Sequence, residues 1–158
     1  MRAQMMDMPL LVSSLIAHAD RSHGDTEIVS RTVEGPIHRY TYTEAHGRSK
    51  RLAQALMRLG VKQGERVGTL AWNGFRHFEL YYGVAGMGAV IHTVNPRLFQ
   101  EQLVFIVNDA EDRYVFFDLT FAPLAEKLAP ACKGVKGWVA RKVPVRLRST
   151  SLCHASRG

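Results

Sequence analysis

Acidic residues are missing from one end of this 158-residue chain. All fourteen Asp and Glu lie at or before Glu126, whereas residues 127–158 carry eight Lys or Arg and no acid. The formal charge of +7 is therefore terminal, because residues 1–126 balance thirteen basic side chains against fourteen acidic ones. A body so close to neutral has no overall field to steer it toward phosphates, so we predict no nucleic-acid partner. Binding through residues 141–158 would instead show as salt-sensitive affinity that deletion of this segment removes.

Cysteines and long apolar runs are also scarce. Cys132 and Cys153 have no C-x-x-C spacing and no neighbouring His pair, which argues against a disulfide framework and against a zinc site. The apolar stretch at 8–17 contains Pro9 and two serines, unlike a signal peptide. No run approaches the roughly 20 apolar residues of a membrane span. We therefore expect a cytoplasmic protein with no membrane span and no bound metal.

The apolar fraction of 46% and the aromatic fraction of 9% are typical of a globular domain. Leu11, Leu15 and His18 at helical spacing predict a first helix that packs on the body. Extended segments at 25–33 and 38–42, joined by a Gly-Pro turn, predict a β-hairpin. The chain is therefore expected to begin with a helix and a hairpin.

Beyond the hairpin, helices and strands alternate. Residues 41–44, Thr-Tyr-Thr-Glu, fit a capping box that begins a helix over about 43–59. The remaining predicted elements are strand 66–72, a helix with Phe75, Phe78, Tyr82 and Ala85 on one stripe, strand 89–92, a helix through Phe99, Leu103, Ile106 and Val107, strand 114–118, helix 119–128 and strand 137–140. Such β and α units, joined by short loops, predict an α/β fold with a mostly parallel sheet of three to four strands and flanking helices.

In a parallel sheet, ligands lie beyond the carboxyl ends of the strands, where loops and helix N-termini expose backbone N–H groups. The residues that the predicted strands place at this edge are Trp72, Asn73, Gly74, His92, Thr93, Asn95, Asp118 and Thr120. One interpretation is that they line a ligand cleft. The other is that the asparagines form turns and that Asp118 caps the next helix. Alanine at Asn73 or Asn95 separates the two, because a cleft residue would weaken ligand binding more than folding.

Motifs that carry catalysis are not found. The G-x-x-G-x-G run at 83–88 follows a helix instead of a strand, so it predicts a helix end and not a dinucleotide site. The sequence has no G-x-x-x-x-G-K-[ST] loop, no H-E-x-x-H and no G-x-S-x-G. Among seven histidines we retain His92, for which a structural hydrogen bond is weighed against a catalytic base. The pair Glu111-Asp112 falls in a turn, where solvation accounts for it. We assign no catalytic, cofactor-binding or metal-ligating residue.

Three blocks of sequence carry a family resemblance. They are YTYTEA at 40–45, GVKQGERV at 60–67 and GMGAVIHTVNPRL at 86–98. In this order they resemble the amino-terminal part of the AMP-forming acyl-CoA synthetases, of the adenylate-forming ligase superfamily, and look closest to its fatty-acyl-CoA ligases. The resemblance runs from about Pro9 to Ala140 and implies the fold of the first subdomain of such a ligase.

Enzymes of this family activate a carboxylate with Mg-ATP to an acyl-adenylate and pyrophosphate, and then transfer the acyl group to coenzyme A. For a complete member, the resemblance implies ATP, Mg and coenzyme A as cofactors and a medium or long fatty acid as substrate. The family's phosphate loop, its Tyr and Glu for adenine, its Asp for ribose and its lid Lys have no counterpart in this sequence. Because those groups neutralise the charge of the transition state, we predict that this chain binds no cofactor and is inactive alone.

The sequence divides into an incomplete AMP-binding subdomain at 1–140 and a basic tail at 141–158. The tail has no acid and no sustained period, so we expect it to be disordered or to come from a shifted reading frame. An alternative of another class is a non-catalytic interaction module or homo-oligomer that uses the helix from Phe75 to Tyr82. In size-exclusion chromatography with light scattering, a saturable oligomer would favour the module. Aggregation through an open sheet edge would favour the incomplete subdomain.

Overall fold

The computed structural model describes residues 8–141 and the backbone of residues 147 and 148. In chain order its elements are α1 Val12–His23, β1 Glu27–Arg31, β2 Ile37–Thr41, α2 Tyr42–Arg58, β3 Arg66–Leu70, α3 Phe75–Gly86, β4 Val90–Thr93, α4 Gln100–Asp109, β5 Tyr114–Phe117, a 3₁₀ turn Leu119–Phe121, α5 Ala122–Leu128, β6 Gly137–Ala140 and β7 Leu147–Arg148. The first two strands form an antiparallel hairpin, and the others form one sheet in the order β4-β3-β5-β6-β7. Strands β3 to β6 are parallel, and β7 is antiparallel to β6. The predicted α/β fold is confirmed.

Two apolar layers enclose the parallel sheet. Along β5, Val115 and Phe117 pack with residues of α4 and α5, whereas Phe116 packs with residues of α2 and α3. This division follows from the strand geometry, because successive side chains point to opposite faces of a sheet. Both faces are covered, which explains why the predicted strands are continuous apolar runs instead of alternating ones.

Local signals set the ends of several elements. The Thr41 hydroxyl accepts the Glu44 N–H at 3.3 Å, and the Glu44 carboxylate accepts the Thr41 N–H at 2.8 Å. The predicted capping box is therefore present, and α2 begins one residue before its predicted start. Gly60 and Gly88, both with φ of +81°, take the left-handed conformation two residues after the end of α2 and two residues before the start of β4. Strand β6 has its predicted bounds.

The predicted packing face of α1 is wrong by one position. Ile16 is the buried side chain of α1, whereas Leu11 and Leu15 are more than half exposed. The docked face also carries polar contacts, because the Asp20 carboxylate accepts hydrogen bonds from Thr43 at 2.7 Å and from His46 at 2.6 Å. Apolar spacing alone cannot reveal a face that docks through a carboxylate.

The buried stripe of α3 also differs from the prediction. It includes Glu79 and Gly83, whereas Phe78 and Tyr82 are half-buried. Glu79 can be buried because its carboxylate pairs with Arg48 of α2 at 2.5 Å. Gly83 allows close approach of the same helix, since a Cβ there would lie 3.0 Å from the Ser49 carbonyl oxygen. A charge pair and a missing side chain therefore orient α3.

The segment predicted as a tail begins inside the folded body. Arg141 is buried, and the two-residue strand β7 pairs with β6. Residues 142–146 and 149–158 lie outside the described residues, so the disorder or frame shift expected of this segment stays a prediction. Each helix in the described ranges is too short or too polar to cross a membrane.

Candidate functional site

The carboxyl ends of three adjacent strands are joined by one carboxylate. Asp118 directly follows β5, and its Oδ2 accepts the backbone N–H of Trp72, after β3, at 2.7 Å. The same oxygen accepts Nη2 of Arg141, the first residue after β6, at 2.7 Å. The two charged side chains are 4% and 6% exposed, so this is a buried ion pair. Asp118 occupies the predicted N-cap position of the turn that follows it, but its side chain makes no cap hydrogen bond there.

Trp72 forms an exposed aromatic shelf beside this carboxylate. Its indole N–H donates to Thr120 Oγ1 at 2.9 Å, and its ring centroid lies 5.3 Å from that of Phe121. The side chain is nevertheless 48% exposed. Asp118 fixes the backbone N–H of the same residue, so both the main chain and the indole of Trp72 are positioned by hydrogen bonds. A flat apolar surface at this edge suits contact with an apolar or planar ligand.

The other predicted edge residues make no hydrogen bond to the Asp118 carboxylate within the described ranges. Asn95 Oδ1 accepts the Arg97 N–H at 3.0 Å, which is the turn-forming role. Asn73 and Thr93 are exposed at the ends of β3 and β4. The structure therefore brings Trp72, Asp118 and Thr120 together and leaves Asn73, Thr93 and Asn95 on the surface of the same edge, whereas Gly74 is the N-cap residue of α3.

Two side chains near Asp118 were missed by the sequence prediction of the site. Burial lowers the pKa of His77, and the positive charge of Arg141 lowers it further. Burial also lowers the pKa of Arg141, against the opposing effect of Asp118. Within the described ranges, His77 Nδ1 and Arg141 Nε are buried without a hydrogen-bond partner. The position of Arg141 directly after a predicted strand was a usable signal, which the basic composition of the following residues obscured.

His92 lies on β4 but belongs to a different contact. Its Nδ1 donates to Asp112 Oδ2 at 2.8 Å, across the face of the sheet that α4 and α5 cover. Asp112 precedes β5, at the opposite end from Asp118, and is 1% exposed. The solvation predicted for Glu111-Asp112 is therefore wrong for Asp112, whose carboxylate is covered and paired. The hydrogen bond to Asp112 raises the pKa of His92, and burial opposes this effect.

A glycine makes this contact sterically feasible. Gly68 lies on β3 opposite His92, and a Cβ there would come within 2.7 Å of Asp112 Oδ2. A glycine inside an apolar strand often marks such a close approach, and this was the sequence signal that could have located Asp112. In the part of the chain that the structure describes, no three His, Cys, Asp or Glu side chains are grouped to hold a metal ion.

Comparison with known proteins identifies relatives of this fold. The chain is 50% identical over 139 residues to the 3-methylmercaptopropionyl-CoA ligase of Ruegeria lacuscaerulensis, and 42% identical over 139 residues to the medium-chain-fatty-acid–CoA ligase of Ectopseudomonas oleovorans. Each alignment covers 88% of this chain and 26% of the relative. The inhibitor-bound N-terminal domain of FACL13 from Mycobacterium tuberculosis shares the fold, with a TM-score of 0.71 over 82% of this chain and 33% of that chain, at 24% identity.

The chain thus spans about a quarter of the length of the curated relatives it matches. Residues 16–151 match the family described as AMP-binding enzyme, which covers most of the sequence and all of the parallel sheet. The chain therefore belongs to the AMP-binding enzyme family.

Proposed function

We propose that this chain is the first subdomain of an ATP-dependent acid–CoA ligase and that the carboxyl edge of its sheet forms one wall of the ligase's substrate cleft. The observation that carries this proposal is the 50% identity over 139 residues to a CoA ligase. The position of the wall is supported by the general rule that ligands of parallel α/β sheets lie beyond the carboxyl ends of the strands.

The proposed substrate is an unbranched aliphatic acid. The two relatives are named for a 3-methylmercaptopropionyl group and for medium-chain fatty acids, and both names describe linear chains. The Trp72 shelf supports an aliphatic substrate, because an exposed aromatic surface can pack against methylene groups. The sequence predicts a medium or long fatty acid, and comparing acids of different chain length tests this prediction.

The residues described at this edge do not fit Mg-ATP. Asn73, Thr93 and Asn95 are neutral, and Arg141 is buried against Asp118. Arg97 is an exposed cation on the loop after β4, but a triphosphate with its metal takes several cations and N–H groups together. We derive no catalytic step from these residues. In this proposal the chain shapes the cleft, is inactive alone, and depends on groups outside its sequence to hold ATP, Mg and coenzyme A.

A chimera tests the proposed function. Residues 16–141 of this chain, which include Arg141, replace the matching part of the Ectopseudomonas oleovorans ligase, and acyl-CoA formation is measured with 3-methylmercaptopropionate, octanoate and palmitate. We expect activity with the shorter, unbranched acids. A chimera that also carries Asp118→Ala should lose most of this activity, because the carboxylate that joins the ends of β3, β5 and β6 is removed. A folded chimera that forms no acyl-CoA, beside an active parent ligase, would contradict the proposal.

The alternative interaction module would use the aromatic side chains of α3. On α3, Phe75 is buried, and Phe78 packs beside it in a small cluster with Tyr40. Tyr81, at 37% exposure, is the aromatic ring that this helix offers to solvent. Phe75 therefore belongs to the core of this chain, and the oligomeric state measured by light scattering remains the test of that alternative.

A further inference from the structure

The His92–Asp112 contact joins parts of the chain that are far apart in sequence. His92 lies on β4, the edge strand of the sheet, and β4 pairs with β3. Asp112 lies in the turn between α4 and β5, and its backbone N–H donates to the Val107 carbonyl oxygen at 3.2 Å. The side-chain contact passes over Gly68 and so links the edge strand to β5 across the intervening strand.

The Asp112 carboxylate depends on this contact for its compensation. The side chain is 0% exposed, and Oδ1 has no hydrogen-bond partner among the described residues. Besides His92, the Cys132 thiol acts on this site, and its pKa is raised by burial and by the Asp112 charge. A thiol that stays protonated offers no positive charge. The imidazole of His92 is therefore the group that can neutralise a buried carboxylate here.

We propose that His92 and Asp112 form a proton-dependent clamp that positions the edge strand β4 and the loop from Val94 to Phe99. The clamp rests on the proposed function only in that this loop would then be part of the cleft wall. The loop is the direct continuation of β4, and its first residue, Val94, donates its N–H to the Thr69 carbonyl oxygen at 2.9 Å. Loosening of β4 would therefore release the segment that carries Asn95 and Arg97.

The sign of the pH effect follows from the direction of the shift. The pKa of His92 in the folded chain lies above the ordinary value of 6.5. The stabilisation is complete below about pH 6.5, where both folded and unfolded chains carry the imidazolium, and is lost as the pH rises through the raised pKa. The imidazole is 22% exposed, so its proton can exchange with solvent while the carboxylate stays covered.

Hydrogen exchange of the whole chain, followed by mass spectrometry between about pH 6 and 9 and corrected for intrinsic rates, tests the clamp. We expect the protection of residues 90–99 to fall by about tenfold over this range, the equivalent of one charge-assisted hydrogen bond. His92→Asn keeps an N–H donor near the Nδ1 position but cannot titrate, so its protection should be flat. His46→Asn removes the other His–Asp pair, which lies between α1 and α2, and should leave the response of residues 90–99 unchanged.

Equal pH dependence in the wild-type chain and in His92→Asn would overturn the proposal. If the variant fails to fold, an NMR titration of the wild-type chain serves instead. The imidazole of His92 should then titrate above 6.5, together with the amides of Val94 to Phe99. Titration at the ordinary value, or amides that do not follow the imidazole, would also overturn it. Neither measurement involves ligase activity, so failure of the clamp and failure of the proposed function remain distinguishable.

Discussion

Asp118 is the residue on which the carboxyl edge of the sheet depends. Replacement by alanine leaves the Arg141 guanidinium charged, buried and without its carboxylate. Removing one partner of such a pair costs about 3–5 kcal/mol. We predict a loss of this size in the free energy of unfolding of Asp118→Ala, measured by urea denaturation. Glu27→Ala, which breaks an exposed pair with Arg39, is the control and should cost less than about 1 kcal/mol. Equal losses in the two variants would contradict the role given to Asp118.

His77 should respond to pH in the sense opposite to His92. Its pKa is lowered by burial and by Arg141, so the unfolded chain takes up a proton before the folded chain does. Stability from this residue is present above the ordinary pKa of 6.5 and falls as the pH drops below it. We predict that His77→Gln reduces the drop in the urea midpoint between pH 7.5 and pH 5.5. An unchanged drop would show that His77 titrates in the folded chain as it does in the unfolded one.

At the scale of elements, the packing of α2 on α3 depends on Gly83 and not on Gly86, which lies at the end of the same helix. A Cβ at Gly83 would lie 3.0 Å from the Ser49 carbonyl oxygen and 3.2 Å from a Leu52 methyl carbon, whereas one at Gly86 would meet nothing within 4 Å. We predict that Gly83→Ala lowers the free energy of unfolding by about 1–3 kcal/mol through overpacking. Gly86→Ala should raise it by about 0.5–1 kcal/mol through helix propensity. Thermal unfolding of both variants checks the signs, and a stabilising Gly83→Ala would contradict the close approach.

The elements also show what the sequence could predict. The capping box at Thr41 and the apolar run of β6 are local signals, and both elements were predicted within one residue. The buried face of α1 and the pairing of His92 with Asp112 depend on which side chains other elements bring near. A carboxylate in a turn looks solvated until the strand register places a histidine opposite it. The spacing of apolar residues predicts which apolar side chains are buried, but it gives no information about polar side chains that are buried in pairs.

At the scale of the whole molecule, the chain encodes part of the family's fold without the groups that would neutralise a triphosphate. The chain encodes a parallel sheet with both faces covered, and its carboxyl edge carries the Trp72 shelf and the Asp118 tie. It spans about a quarter of the length of its curated relatives, and a phosphate loop is not found in its 158 residues. The edge residues, and Arg141 directly after β6, were predictable from strand order, whereas the ion pair of Asp118 with Arg141 and the burial of His77 were not, because both arise from three-dimensional packing.

Exchange of labelled pyrophosphate into ATP tests most directly the claim that this chain forms a cleft wall but lacks the catalytic groups. The purified chain and the chimeric ligase are assayed side by side with octanoate. We predict exchange by the chimera and none above background by the chain alone, because the groups that neutralise a triphosphate are not in its sequence. Acid-dependent exchange by the chain alone would contradict the claim that these residues form a cleft wall without the catalytic groups.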